Sequence, residues 1–190
     1  MRTVPISLFT CAALALAAQP AQPRRSPPFS ILRPDAQPLT LASFRGKVVA
    51  LVFISTTCPH CQEFTGKLVP IAKEYAPRGV QFLECAVNEG AKAAVPGFVQ
   101  QFQPPFPVGF NTQAAVDEYL RRSILFTFYV PHVVFLDRNG MIVGDFEGES
   151  DFMKDAAANT RKELDRLLTA KAPAGKKTGS PAKTVGTASK

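Results

Sequence analysis

The apolar positions of this chain fall into runs of different period. Residues Val48–Ile54, VVALVFI, are uninterrupted and rich in β-branched side chains. That is the pattern of a strand buried on both faces. In the stretch that follows, TTCPHCQEFTGKLVPIAKEYAPRG, Phe64, Leu68, Ile71, Ala72 and Tyr75 recur at helical spacing. Thr57 is placed to cap this helix, and Pro59 falls near its first position, where a missing N–H costs nothing. Pro70 predicts a kink, and Gly79 ends the unit. VQFLECAV then reads as a second strand. Strand, helix and strand in this order make a right-handed parallel crossover.

Further on, AVPGFVQQFQ predicts a short helix, PPFPVGF an extended stretch and TQAAVDEYLRR another helix. The apolar SILFTFYV reads as a buried or partly buried strand-like segment, with an apolar rim for extended clients as its functional alternative. HVVFLDRNGMIVGDFEG is two β-rich runs around Asn139–Gly140, the strongest short hairpin signal. SDFMKDAAANTRKELDRLLTAK predicts a capped amphipathic helix with Phe152, Ala156, Leu164, Leu167 and Leu168 inward. A parallel crossover, an antiparallel hairpin and a closing helix imply an α/β domain, a mixed central sheet with helices on both faces.

Composition changes the picture mainly at the ends. The 190 residues are 46% apolar and 19% charged, enough for one core. The net charge of +7 is concentrated outside it. Residues 1–39 carry +3, residues 171–190 carry +5, and residues 40–170 are left with −1. A basic nucleic-acid face is therefore not expected. Residues 1–18 combine an early Arg, the apolar run from Ile6 to Ala18 and small residues around Ala15–Ala17, the layout of a secretory signal peptide. The run is shorter than the ~20 residues that span a bilayer. Retention of the segment as an anchor is the alternative. Residues 19–37 read as a proline-rich linker, 38–170 as the folded domain and 171–190 as a disordered Lys-rich tail.

The chemistry lies in TTCPHC, where Cys58 and Cys61 flank Pro59 and His60. The pair sits at the carboxyl end of a strand and the start of a helix, where open α/β sheets place their sites. A helix start favours negative charge, so Cys58 is expected to be the nucleophilic thiolate, with Cys61 as the more sheltered resolving thiol. His60 is expected to tune the pair by its charge, and the Thr57 hydroxyl to flank the thiolate. Export would place the pair in an oxidising compartment. A purely structural disulfide would close almost no loop. A zinc clip would need two more ligands, and only Cys85 and His132 remain. Copper held by the thiols and a His stays open as an alternative. Cys85 reads as a small buried hydrophobe or a third exchanging thiol, and His132 as a packing residue or a contributor to the site's charge.

In order, LASFRGKVVALVFISTTCPHC, PPFPVGF and VPHVVFLDRNGMIVGDFEG resemble the thioredoxin superfamily. Within it they resemble the TlpA/ResA-like, redoxin-type exported thiol–disulfide oxidoreductases. The resemblance implies a thioredoxin-like fold with a central insertion, a redox-active Cys58–Cys61 disulfide, and a cis-proline at Pro131. It implies that Val130–Pro131 dock an extended substrate. It also implies an enzyme without cofactor or metal, monomeric, periplasmic, acting on protein thiols and disulfides and recycled by a membrane redox partner. The CPHC motif and Val130 resemble DsbA-like oxidases. Thr57 stands where the family usually has Trp. Val52 and Phe64 stand at the two positions where relatives carry a buried acid, so no acid is expected beside Cys61. The P-x-x-x-T-x-x-C pattern of a peroxiredoxin fails, with Leu51 and Ser55 at its Pro and Thr positions, which leaves a peroxiredoxin-like protein as the weaker alternative beside a metal or redox-partner carrier.

Overall fold

The structure, a computed structural model, describes residues 22–34 and 36–170. The expected signal segment, 1–18, and tail, 171–190, lie outside the described residues. Eight strands form one sheet in the order β1-β8-β7-β4-β5-β6-β2-β3. They are β1 (Arg24–Arg25), β2 (Ser30–Arg33), β3 (Ala36–Thr40), β4 (Val48–Ile54), β5 (Val80–Ala86), β6 (Val108–Phe110), β7 (His132–Leu136) and β8 (Met141–Phe146). Four α-helices accompany them: α1 (Pro59–Tyr75), α2 (Ala91–Phe102), α3 (Gln113–Leu120) and α4 (Ala156–Thr169).

The uninterrupted apolar run becomes the central strand. Every residue of β4 is buried, and the pleat sends alternate side chains to opposite faces. Val48, Ala50, Val52 and Ile54 face a cluster built from α1, α2 and α4. Val49, Leu51 and Phe53 face a second cluster that includes Val116, Tyr119 and Leu120 of α3. β5 runs parallel to β4, and β7 runs antiparallel on its other side. The sheet is therefore mixed and covered on both faces, the expected α/β class.

The 137–140 turn joins β7 to β8 as the Asn-Gly signal predicts. Asp137 Oδ1 accepts from the N–H groups of Asn139 at 2.9 Å and Met141 at 2.8 Å. Gly140 takes φ +69°, which a side chain would disfavour. Helix α1 continues through Pro70 to Tyr75. The carbonyl that loses its N–H partner belongs to Gly66, on the exposed side of the helix, where water can satisfy it. The last helix begins later than expected, after a 3₁₀ turn over Asp151–Asp155, and Asp155 caps it through Ala158 N–H at 3.2 Å.

Two expectations are corrected. The proline-rich segment is not a solvated linker over its described part. β1 pairs with β8, and β2 pairs with β6 and β3. Phe29 and Ile31 are buried in the α3-side cluster. Pro27, Pro28 and Pro34 fall between these short strands, and Pro38 lies inside β3, the edge strand of the sheet, where a missing N–H is tolerated. The pattern failed here because each strand is only two to five residues long, with few buried positions. The second correction concerns SILFTFYV. It is an irregular loop, with Ile124, Leu125 and Phe126 exposed at 84%, 87% and 74%. Phe128 turns inward, against Phe53 and His132, and Val130 packs on the α1-side core. Arg122 holds the loop, stacking over Phe128 at 4.9 Å and donating to Thr127 O at 2.7 Å.

Ile31 tests the role of the N-terminal strands. It is fully buried, and it lies against Gly109, where an added Cβ would come within 2.5 Å of its side chain. Ile31→Ala is expected to lower the unfolding free energy by about 2–5 kcal/mol in urea titrations. A change under ~0.5 kcal/mol would match a solvated linker instead.

Candidate redox site

β4 ends at Ile54 and α1 starts at Pro59, so the chain has four residues in which to turn. That turn is pinned at each step. Thr56 N–H donates to Asn88 Oδ1 at 2.9 Å, Gln62 Nε2 donates to Thr56 O at 2.8 Å, and Cys58 N–H donates to Ser55 O at 3.2 Å. Asn88 follows β5, so the neighbouring parallel strand helps set the position of the cysteine turn. Cys58 is the N-cap residue of α1, and Pro59 occupies its first turn. The expected cap, Thr57, lies one residue too early. It is exposed, and its hydroxyl pairs with Ser55 Oγ at 3.1 Å rather than with a helix N–H.

The two thiols differ in environment. Cys58 is partly exposed, while Cys61 is fully buried one turn further along. Both are free thiols in this structure. Cys61 Sγ accepts from Ser55 N–H at 3.4 Å. Burial pushes the Cys61 thiol well above its ordinary pKa, and the Ser55 hydrogen bond only partly opposes this. Cys58 and the charge of Glu84 push it in the same upward direction. His60 is exposed and lies on a groove beside Glu63 and Lys67 rather than over the buried sulfur.

The Val130–Pro131 peptide is cis. Cys58 Sγ lies 4.0 Å from Val130 O. Gly148 packs on the same turn, with its N–H donating to Tyr129 O at 3.3 Å. A Cβ at Gly148 would press on Tyr129 and Val130 backbone atoms at 3.1–3.2 Å, so a side chain there would displace this turn. A groove of about 420 Å³ runs from His60 and Phe64 past Val130 and Pro131 to Gly148 and Met153. The structure thus brings Thr57, Cys58, Pro59, His60, Cys61, Val130 and Pro131 to one end of the sheet.

It places Cys85 and His132 elsewhere. Cys85 is fully buried in the α3-side cluster, so β4 and β5 stand between it and Cys61. Burial pushes its thiol strongly up as well. His132 also turns to that face, stacked on Phe128 at 5.3 Å. Its Nε2 lies 2.6 Å from Asp145 Oδ1, and Arg24 donates to Asp145 Oδ2 at 2.8 Å. Burial alone would raise the Asp145 carboxyl pKa, but His132 and then Arg24 outweigh it and hold the group below its usual range. This triad ties β1 and β7 to β8 and does not adjoin the thiols. Among the described residues no three His, Cys, Asp or Glu side chains come together as a metal site.

One residue was missed in the sequence. Glu84 on β5 is fully buried. Its Oε1 accepts from Thr65 Oγ1 at 2.9 Å, while its Oε2 is buried without a partner. Burial raises its pKa to about 8, against the opposing Thr65 hydrogen bond. Glu84 stands directly across the ladder from Val52. The expected absence of an acid near Cys61 is therefore corrected. The position expected for the acid is empty, but the next strand supplies one on the same face. The signal was a single carboxylate in the otherwise apolar FLECAV.

The Redoxin family model matches residues 21–164. The thiol-disulfide oxidoreductase ResA of Bacillus thuringiensis subsp. konkukian (strain 97-27) is 25% identical over 148 residues, covering 76% of this chain and 75% of its own. The crystal structure of a thiol:disulfide interchange protein of the thioredoxin family from Chlorobium tepidum TLS superposes with a TM-score of 0.62. It is 26% identical and covers 76% of this chain and 98% of its own. The thioredoxin domain of a thiol-disulfide oxidoreductase from Bacteroides vulgatus, at 17% identity, shares the fold with a TM-score of 0.59, covering 74% of this chain and 95% of its own.

Glu84 makes stability depend on pH. Its folded pKa of about 8 lies above the ordinary 4.5 of an unfolded chain. The native state thus keeps a proton that the unfolded chain has already lost. Its contribution is intact below pH 4.5 and is lost as pH rises through about 8. Glu84→Gln is expected to gain on the wild type between pH 5 and pH 8.5, by on the order of a few kcal/mol in urea midpoints. An equal difference at both pH values would mean an ordinary carboxylate.

Proposed function

The chain belongs to the Redoxin family, and on that premise we propose that it is a thiol–disulfide oxidoreductase that exchanges disulfides with protein clients in an extracytoplasmic compartment. The observation that carries the reading is the asymmetry of the cysteine pair. Cys58 is partly exposed at a helix N-terminus and faces the Val130 carbonyl, and Cys61 is buried behind it.

The chemistry follows from that asymmetry. The partly exposed Cys58 is the sulfur a client can reach, and its thiolate is the reactive form. That thiolate attacks one sulfur of a client disulfide. An S–S bond forms between Cys58 and the client, and the client's other sulfur leaves as a thiolate. Cys61 then loses its proton and attacks Cys58 Sγ. The Cys58–Cys61 bond forms, the mixed bond breaks, and the client's second sulfur leaves. Two electrons pass from the pair to the client. The reverse sequence oxidises a client dithiol. Which way the cycle runs in the cell depends on the pair's potential relative to its partners.

The groove past Val130 and Pro131 gives an extended client segment backbone to pair with beside the sulfurs, and His60, Glu63 and Lys67 give its rim mixed charge. The exposed Ile124, Leu125 and Phe126 lie a few residues before that docking turn and offer apolar contact to an unfolded client. Export rests on the layout of residues 1–18 and on the oxidising setting in which such a pair cycles. A membrane redox partner would restore the pair after each turnover.

Insulin reduction and exchange with glutathione disulfide test the reading. Wild-type protein is expected to show turnover, and Cys58→Ala to lose at least ~100-fold, since the nucleophile is gone. Cys61→Ala is expected to stall at a client–Cys58 mixed disulfide that survives non-reducing electrophoresis. Exchange that persists in Cys58→Ala would reject this function.

A further inference from the structure

Client docking depends on where the Val130–Pro131 turn stands relative to Cys58, and the turn has little backbone of its own to hold it. Pro131 has no N–H to donate. β7 begins only at His132, which pairs with Phe53 of β4. On the α1 side, Gly148 N–H donates to Tyr129 O and Val130 packs against the core. On the other side the turn is held through side chains. Phe128, two residues before Val130, and His132, two residues after it, stack with ring centroids 5.3 Å apart and 27° between their planes. The stack brackets Tyr129–Pro131, so the angle of the His132 ring and the course of the turn are set together. His132 is 3% exposed, and the Phe53 ring meets it at 6.2 Å.

Packing alone does not ask for an imidazole here. Between Phe53 and Phe128 a phenyl ring would serve as well, whereas His132 leaves Nδ1 buried without a partner among the described residues. A buried polar atom left unpaired is costly and calls for an explanation. What the imidazole adds is a donor. Its Nε2–H donates to Asp145 Oδ1 at 2.6 Å, and Arg24 donates to Oδ2 at 2.8 Å. Burial raises the Asp145 carboxyl pKa, but His132 and Arg24 outweigh it, so the group accepts as a carboxylate. A charge-assisted bond fixes the rotation of the ring, which the weaker stacking contact leaves softer. Asp145 stands on β8, across the ladder from Val134, and Arg24 on β1, across from Ile142. The contacts therefore run from the N-terminal strand, along the edge of the sheet, to the residue that follows the docking proline. Phe128 has a charged arm of its own, because the Arg122 guanidinium over its ring donates to Glu147 at 3.2 Å.

We propose that His132 is the positioning residue of the docking turn for protein clients, with Asp145 and Arg24 acting through it to hold its ring against Phe128. This deepens the function proposed above and rests on it. His132 turns to the face of the sheet away from the thiols, among Phe53 and Phe128 of the α3-side cluster. Its effect is on the Val130 backbone that a client strand meets. It therefore governs the binding of disulfides that carry a peptide backbone, and it leaves the sulfur chemistry of Cys58 and Cys61 alone. Through Arg24, the N-terminal strand acts on client docking from the far edge of the sheet.

The test follows single-turnover oxidation of the reduced protein by two disulfides, each over a range of concentrations. Insulin presents a peptide backbone to the turn, and hydroxyethyl disulfide has none. His132→Phe keeps an aromatic ring on Phe128 and loses the bond to Asp145. It is expected to raise the insulin concentration for half-maximal rate by about 10-fold. The maximal rate with insulin and the rate with hydroxyethyl disulfide are expected to change by less than about 2-fold. An unchanged half-saturating concentration would overturn the assignment while leaving the exchange function standing. So would a parallel loss with both disulfides, which is what a merely structural residue gives. Arg24→Gln tests the same contacts from a side chain that is 26% exposed. It is expected to raise the half-saturating insulin concentration by about 3-fold and to add little on top of His132→Phe, and Arg24→Lys is expected to restore it. If His132→Phe does not fold, these two variants decide. No rise in Arg24→Gln, or a rise that Arg24→Lys does not reverse, would overturn the assignment. Failure of the wild type to react with either disulfide would instead reject the function itself, and the assignment with it.

Discussion

Burial of β4 on both faces is the constraint from which the rest follows. Seven consecutive apolar residues must be shielded above and below and paired on both edges. That requirement makes β4 central, places β5 and β7 beside it, and requires helices on both sides. It also fixes where the chain can emerge. The first polar residues after Ile54 come out at the end of the sheet, and the turn they make delivers Cys58 to the N-cap of α1. The half-exposed thiol, the helix terminus and the buried second thiol are consequences of one buried strand and a four-residue turn.

The same strand separates two polar systems that the sequence could not tell apart. Cys58, Cys61, Thr65 and Glu84 belong to the face covered by α1. Cys85, His132, Asp145 and Arg24 belong to the other side or its edge. In a linear reading Cys85 is a small buried hydrophobe or a third exchanging thiol, and His132 a packing residue or a contributor to the site's charge. The pleat decides for the packing roles, because each lies one residue from a position that would have turned it to the active face. A one-residue offset of this kind is visible only once the register of β4, β5 and β7 is known.

How much could be read in advance depended on the length and purity of the pattern. β4, α1, β5 and the β7–β8 hairpin were legible because each carries many apolar residues at one period or a turn with a specific backbone requirement. The site's cysteines and the Val130–Pro131 turn were legible because they are adjacent to those elements. The strands up to residue 40 were not, since two to five residues among six prolines give no period to recognise. The loop at 123–129 was misread for the opposite reason. Its apolar content suggests burial, but Arg122 and Phe128 anchor it with the tip outward. Glu84 was not legible because the positions expected for a buried acid are spaced along the chain from the cysteines, and Glu84 lies on β5. Glu84 stands on the neighbouring strand instead, on the face of the sheet that α1 covers.

The central claim is that Cys58 and Cys61 form one reversible two-electron couple, isolated from Cys85. The most direct measurement equilibrates the protein in glutathione or dithiothreitol redox buffers, alkylates it in acid and maps the cysteines by peptide mass. A single two-electron transition linking Cys58 to Cys61, with Cys85 alkylated as a thiol throughout, is the result expected. A disulfide that includes Cys85, or a Cys58–Cys61 pair that stays reduced across every buffer poise, would contradict it.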